Sequence, residues 1–377
     1  MKKEPEQKAD AKQKRRGADF AKGLLYWNRT ENGRQMPWKG EKDPYRIWLS
    51  EIMLQQTRVE QGLSYYNRFI QIFPDVHSLA AAPEAAVFKA WEGLGYYSRC
   101  RNLIATARYI SEERAGEFPK TYEEILALKG VGDYTAAAIG SFAYNLPYAV
   151  LDGNVYRVLS RIFGVEIPID TTQGKKTFSA LAQNILPKAE AGEYNQAIMD
   201  FGATVCKPSP VCSACFFQKR CVAYAEGKQS LLPIKEKKTV LKKRWLNYFI
   251  VQCGDEILVN QRLEKDVWQG LHQFVLIETE KAVKAKKLLE LFGEEYGIDD
   301  YAVAEEWKTQ QHLSHQSVFF HFLHIKLKQR KKIEGYNWTE ISQLKELAFP
   351  RALQIVVQKM NNEQPVMNER LQQQKLF

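Results

Sequence analysis

The chain has 377 residues, 45% of them hydrophobic, with a formal net charge of +10 and a pI near 9.1. That length exceeds one typical domain, and the apolar content excludes wholesale disorder. No apolar run approaches the roughly 18 residues that span a bilayer, the charged N-terminus carries no export-type apolar core, and six cysteines are too few for a disulfide scaffold. The reading is therefore a cytoplasmic protein with no membrane partner, and the basic balance favours an anionic one.

Residues 1–17 are charged and aperiodic, and read as a flexible basic tail. From 18 to 225 the pattern is helix after helix, with helix-length stretches at 86–94, 101–113, 122–128, 134–144 and 154–163 separated by short Gly/Pro breaks. In 45–59, helical spacing puts Leu49, Ile52 and Met53 on one apolar stripe and leaves Glu51 and Gln55 together, four residues apart, on the opposite side. Alone, that is a solvated polar face. Leu128-Lys129-Gly130-Val131-Gly132 is a tight turn before a helix of small residues. Its outward amides and the helix N-terminus suit a phosphate and read no base. Asp152, just before the 154–163 helix, has the place of an N-cap.

Cys206, Cys212, Cys215 and Cys221 follow as C-x5-C-x2-C-x5-C. Zinc ribbons use two separated CxxC knuckles, whereas here the outer cysteines flank a single pair evenly. The spacing favours an all-cysteine [4Fe–4S] cluster, with zinc as the alternative. Cys100 and Cys253 read as buried small hydrophobes. Residues 226–243, with Gly227, Pro233 and many lysines, have a linker's composition. Beyond them the texture changes. Runs at 245–253, 256–260, 273–278 and 318–326 read as strands, and 282–290 and a segment from 341 read as helical. This is an α+β domain over 244–365, with a tail over 366–377.

Two carboxylates, a phosphate-type hairpin and a cysteine cluster in one helical domain form a combination no single motif supplies. SEIMLQQTRV, GLGYYSRCRNL, LKGVGDYTAAAI, LDGNVYRVLSRI and the four cysteines stand in the order found in the helix-hairpin-helix glycosylases with an iron–sulfur cluster, and the chain most resembles the MutY adenine glycosylases. The resemblance is strong over residues 20–225 and weaker to about 360. It implies a mostly α glycosylase domain with a [4Fe–4S] loop, followed by a Nudix-like α+β domain. Such an enzyme flips adenine out of duplex DNA at A:8-oxoguanine or A:G mispairs, hydrolyses its N-glycosidic bond, and works as a monomer.

By the same resemblance, Glu51 protonates the leaving base, Asp152 stabilises the cationic sugar, and Asn154 and Tyr134 support them. Arg34, Trp38 and Gln196 line the adenine pocket. Leu54, Gln55, Gln56, Thr57 and Tyr96 fill the space around the extruded base and contact the opposite base; Gly130 and Gly132 hold phosphate; Ser314 and His315 probe 8-oxoguanine. Bifunctional relatives that nick the strand place a lysine where this chain has Tyr134, which implies a monofunctional enzyme. The intact Nudix catalytic signature is absent from 287–297. The chain departs from the family at the first cysteine spacing (usually x6), and at Lys129, Lys39, Leu313 and His272.

Overall fold

The computed structural model describes residues 3–236 and 241–361. Cα proximity divides the chain into two compact units, Met1–Ala81 with Asn102–Lys238, and Ala82–Arg101 with Thr239–Phe377. The helices come first, as α1 (Lys3–Thr30), α2 (Pro44–Leu54), α3 (Val59–Ile72), α4 (Val76–Ala81), α5 (Glu84–Trp91), α6 (Ser98–Glu113), α7 (Tyr122–Leu126), α8 (Asp133–Tyr144), α9 (Gly153–Phe163), α10 (Thr172–Ile185), α11 (Ala191–Thr204) and α12 (Val222–Ala225). Then follow β1 (Lys242–Cys253), β2 (Glu256–Gln261), β3 (His272–Gln273), β4 (Val275–Thr279), α13 (Ala285–Tyr296), β5 (Ala302–His312), β6 (Gln316–Lys326), β7 (Asn337–Glu340) and α14 (Arg351–Met360).

Short polar caps start the first unit's helices where the sequence places them. Asp43 accepts from the Tyr45 amide and Pro44 opens α2; Thr121 caps α7 and Thr171 caps α10. The core joins Phe20, Leu24 and Trp27 of α1 to Val158 and Leu159 of α9, Phe178 and Leu181 of α10, and Tyr194, Ile198 and Phe201 of α11. Trp27 meets Phe201 edge-on at 5.1 Å between centroids.

The second unit carries a mixed sheet in the order β3-β2-β1-β6-β5, with β4 also on β1 and β7 also on β2. β1 and β6 are its parallel pair, registered from Lys242↔Gln316 to Gln252↔Lys326. Phe249, Val251, Leu323 and Ile325 of these strands pack with Leu288 and Phe292 of α13. The segment Ala82–Arg101 groups with this unit through specific bonds. Lys89 Nζ donates to Leu347 O (3.1 Å), the Phe349 amide to Glu92 (2.8 Å), and Arg101 to Gln269 O (2.6 Å).

Several sequence expectations change. The stretch 1–17 is helical from Lys3 rather than aperiodic, because Ala, Lys, Glu, Gln and Arg are strong helix formers and Pro5 falls in the first turn. The 45–59 helix ends at Leu54, with Gln55 as its C-cap. α2 is buried nearly all round, Glu51 included, rather than showing a polar outer face. The 273–278 strand is two short strands, and β5 and β7 are additional. By Cα proximity, residues 82–101 group with the second unit. The tail over 366–377 and the linker residues 237–240 lie outside the described residues.

Candidate active site

Glu51 sits on α2 with 7% of its surface exposed. Burial pushes its carboxyl up to about 7; a hydrogen bond from Tyr134 works against that rise, and Asp152 adds to it. Tyr134 enters from the first turn of α8, its hydroxyl against both Glu51 and Met199 Sδ (3.3 Å), and burial with the two carboxylates holds its phenol well above the usual range. Asp152 caps α9. Its Oδ1 accepts from the Val155 amide (2.7 Å) and its Oδ2 from Asn154 Nδ2 (2.8 Å). Burial still holds its carboxyl above the ordinary value, although both hydrogen bonds pull the other way. The side chain that caps α9 is therefore also the one that acts electrostatically on Glu51 and Tyr134. Gln55, past the end of α2, donates to Thr135 Oγ1 (3.1 Å), next to Tyr134.

Arg157, which the sequence reading missed, fixes Asn154 from behind. Its Nη2 donates to Asn154 Oδ1 (2.7 Å) and Gly202 O (2.8 Å), and its Nε to Cys206 O (2.7 Å). Gly202 lets α11 approach that closely: a Cβ there would stand 2.7 Å from Asn154 Cβ. Cys206, Cys212, Cys215 and Cys221 line one small cavity with Ile162 and Phe201. Arg161 reaches Cys206 Sγ (3.5 Å) and the carbonyls of Lys207 (2.6 Å) and Pro208 (2.9 Å). Four thiols facing one space on a loop pinned by two arginines are a donor set that fits a cysteine-ligated cluster. Among the described residues no three His, Cys, Asp or Glu side chains close tightly enough to hold a single ion. The shortened first spacing does not take Cys206 out of the cradle.

Arg34, Trp38 and Gln196 also come together. Trp38 and Gln196 line a cavity of about 320 Å³ with Asn28, Lys39, Phe142 and Glu193. Behind it lies Asp200, fully buried and not foreseen from sequence. Its Oδ1 accepts from Arg34 Nη1 (2.9 Å) and Gln196 Nε2 (3.0 Å); its Oδ2 accepts from Asn32 Nδ2 (2.9 Å) and lies 3.1 Å from Lys39 Nζ. Only the i,i+4 spacing from Gln196 on α11 could have signalled it.

The other predicted contacts lie elsewhere in each unit. Leu54 ends α2, and Gln56 and Thr57 lie in the turn after it. Gln56 is exposed at φ +58, and Leu54 packs on Gly62, where a Cβ would come within 2.9 Å of it. The hairpin has Gly130 at φ +82, a backbone region that L side chains rarely adopt, and Gly132 caps α8 with open space around it. In the second unit, Tyr96 is 40% exposed at φ +48, between Gly95 and the Arg99 guanidinium, which stacks on its ring at 5.4 Å. Ser314 and His315 form the exposed tip of the β5–β6 hairpin, closed by the Leu313 amide on Gln316 O (2.8 Å).

Residues 49–187 match the model of the HhH-GPD superfamily of base excision DNA repair proteins, and residues 247–359 match that of the NUDIX domain. The adenine DNA glycosylase of Buchnera aphidicola subsp. Schizaphis graminum is 31% identical over 353 residues, covering 90% of this chain and 98% of that protein. The adenine DNA glycosylase of Mus musculus is 41% identical over 227 residues, covering 57% of this chain and 44% of the mouse protein. Among solved structures, a thermostable thymine-DNA glycosylase is similar, with a TM-score of 0.53 and 29% identity over 58% of this chain and 99% of that one.

Proposed function

The chain belongs to the MutY-type adenine DNA glycosylases, and from that premise we propose that it excises adenine mispaired with 8-oxoguanine or guanine in duplex DNA, leaving an abasic site. It is a DNA N-glycosylase of base excision repair. The observation that carries the finer reading is the pairing of Glu51, raised to about 7, with the hydrogen-bonded carboxyl of Asp152. Cleaving an N-glycosidic bond needs one proton donor at the leaving base and one anion by the sugar cation. Glu51 gives its proton to the flipped adenine as the bond from base to sugar breaks. Asp152, oriented by Asn154, stabilises the oxocarbenium-like sugar until water adds to it. Tyr134, where strand-nicking relatives have lysine, offers no amine for a Schiff base, so the phosphodiester stays intact.

The supporting roles are those that membership of the family suggests for these residues. Trp38, Gln196 and Arg34 shape the adenine pocket, and Gly130 and Gly132 present backbone amides to phosphate. Leu54, Gln55, Gln56, Thr57 and Tyr96 occupy the emptied stack, and Ser314 and His315 test the oxidised base. Cys206, Cys212, Cys215 and Cys221 would hold a [4Fe–4S] cluster, which when bound supplies a staple for its loop. We place the enzyme in the cytoplasm as a monomer on DNA. No helix among the described residues is long and apolar enough to cross a membrane.

The test is single-turnover adenine release from duplexes carrying adenine opposite 8-oxoguanine, guanine or thymine, analysed with and without alkali. Release is expected for the first two only, with strand breaks requiring alkali. Breaks without alkali would restore a lyase. No release with binding retained would make the chain a non-catalytic DNA-binding protein. Ser314→Ala or His315→Ala is expected to lower the preference for 8-oxoguanine over guanine severalfold; an unchanged ratio removes that hairpin from recognition.

A further inference from the structure

We propose that Asp200 is a positioning residue that makes the pocket specific for a purine bearing an amino group at C6, by fixing which end of the Gln196 amide meets the base. The inference rests on the adenine-excision reading above. A glutamine amide is nearly symmetric in shape but opposite in polarity at its two ends, and a free one turns over to suit its partner. Here Gln196 lines the cavity while its Nε2 donates to Asp200 Oδ1 at 3.0 Å. The reversed amide would set its oxygen against a carboxylate oxygen, so Asp200 allows one orientation only.

The carboxylate is itself held still. It is fully buried and accepts from Arg34, Gln196 and Asn32, with the Lys39 ammonium at 3.1 Å, so about four donors fill its roughly four acceptor sites. Lys39 is anchored in turn by donation to Arg34 O (2.9 Å). With one Nε2 hydrogen held by Asp200 the amide cannot turn over, and Gln196 keeps Oε1 as a fixed acceptor for the pocket. Adenine offers an N6 amino hydrogen to that oxygen. Hypoxanthine and guanine offer a carbonyl oxygen at the same position, placing two acceptors face to face, the kind of mismatch that discriminates strongly in a buried site.

The experiment compares single-turnover release of adenine and of hypoxanthine, each opposite 8-oxoguanine in the same duplex. Asp200→Asn replaces an acceptor-only group with one that can donate or accept, so either orientation of the Gln196 amide is satisfied. The adenine-to-hypoxanthine ratio is expected to fall about tenfold, the scale of one well-placed hydrogen-bond pair to a base. Asp200→Glu keeps an acceptor-only group and is expected to hold the ratio near that of the natural chain. Both duplexes meet the same preparation, so loss of folded protein cancels in the ratio. In a Gln196→Met background, Asp200→Asn should change the ratio no further, which a general structural role would not produce. Equal losses on both duplexes, with the ratio intact, would overturn the proposal. Should Asp200→Asn not fold, Asp200→Ser takes its place, since a hydroxyl also donates or accepts: an unchanged ratio overturns the proposal, a drop of about tenfold supports it. If the natural chain releases neither base, the excision reading fails first, and the proposal falls with it.

Discussion

Burial sets the protonation of Glu51 before any substrate arrives, and this has consequences for both rate and stability. With its carboxyl at about 7, the group is a competent acid at neutral pH and an exhausted one above it, so adenine release is expected to decline as pH rises through 7. With Asp152 in its proposed role, an acid limb is expected too, since burial holds its carboxyl above the usual 3.8 and protonation removes the anion. A flat profile from pH 5 to 9 would dissociate Glu51 from proton transfer. The same shift is a stability cost. Below pH 4.5 the carboxyl is protonated both folded and unfolded, and costs nothing. As pH climbs from 4.5 to 7 the unfolded chain ionises while the folded chain resists, and stability drops by about 3 kcal/mol once both limits are passed. Glu51→Gln should therefore abolish release yet resist urea better than the natural chain at pH 8, with little difference at pH 4.5. Asp152→Asn keeps a side chain that caps a helix as well as Asp does. Its melting temperature at neutral pH should be no lower than that of the natural chain, because burial also raises this carboxyl; DNA binding should persist, and turnover should fall by about 10³-fold. Near-normal turnover in that variant would remove Asp152 from the chemistry.

Helix junctions hold these residues in register, and there the sequence was partly legible. Asp152 was readable because a cap is a local device, and the four cysteines because their spacing is local. Asp200 and Arg157 were not readable. Asn32 and Arg34 reach Asp200 from 168 and 166 residues away, and the Arg157 contacts on Gly202 and Cys206 span 45 and 49 residues. α2 was misread as amphipathic because a single buried carboxylate breaks an otherwise apolar helix. β5 escaped because, as an edge strand, it is exposed along most of its length and carries no apolar run. The α9–α11 crossing gives a sharp test. Gly202→Ala drives a methyl to 2.7 Å from Asn154 Cβ and 3.1 Å from Asn154 O, so a helix must shift. The expected cost is about 1–3 kcal/mol in denaturation. Release should fall more than stability explains, because Asn154 moves away from Asp152. A neutral effect on both would show the crossing to be looser than its geometry.

At the scale of the whole molecule, the division into units does not follow the chain. Ala82–Arg101 lies within the first half of the sequence, yet its bonds run to Gln269, Leu347 and Phe349, and Gly270 at φ +90 leaves room for the Phe88 ring. No local pattern could announce this, because helical spacing shows that a segment has an apolar face without showing which partner covers it. A chain cut after Lys238 loses all of those partners. Limited proteolysis of that truncation is expected to cleave between Ala82 and Arg101, where the full-length protein resists. Equal resistance would mean the segment is stable without the second unit.

The buried acid at position 51 has a consequence for variants in a living cell. Quality control senses folding, not chemistry. By the stability argument above, a variant that loses this carboxylate is expected to fold at least as well as the natural chain at neutral pH. Such an allele is expected to reach at least the natural protein's level in the cell while releasing no base. Abundance and competence are then uncoupled, and a census of protein levels alone would not rank the dead enzyme below the working one.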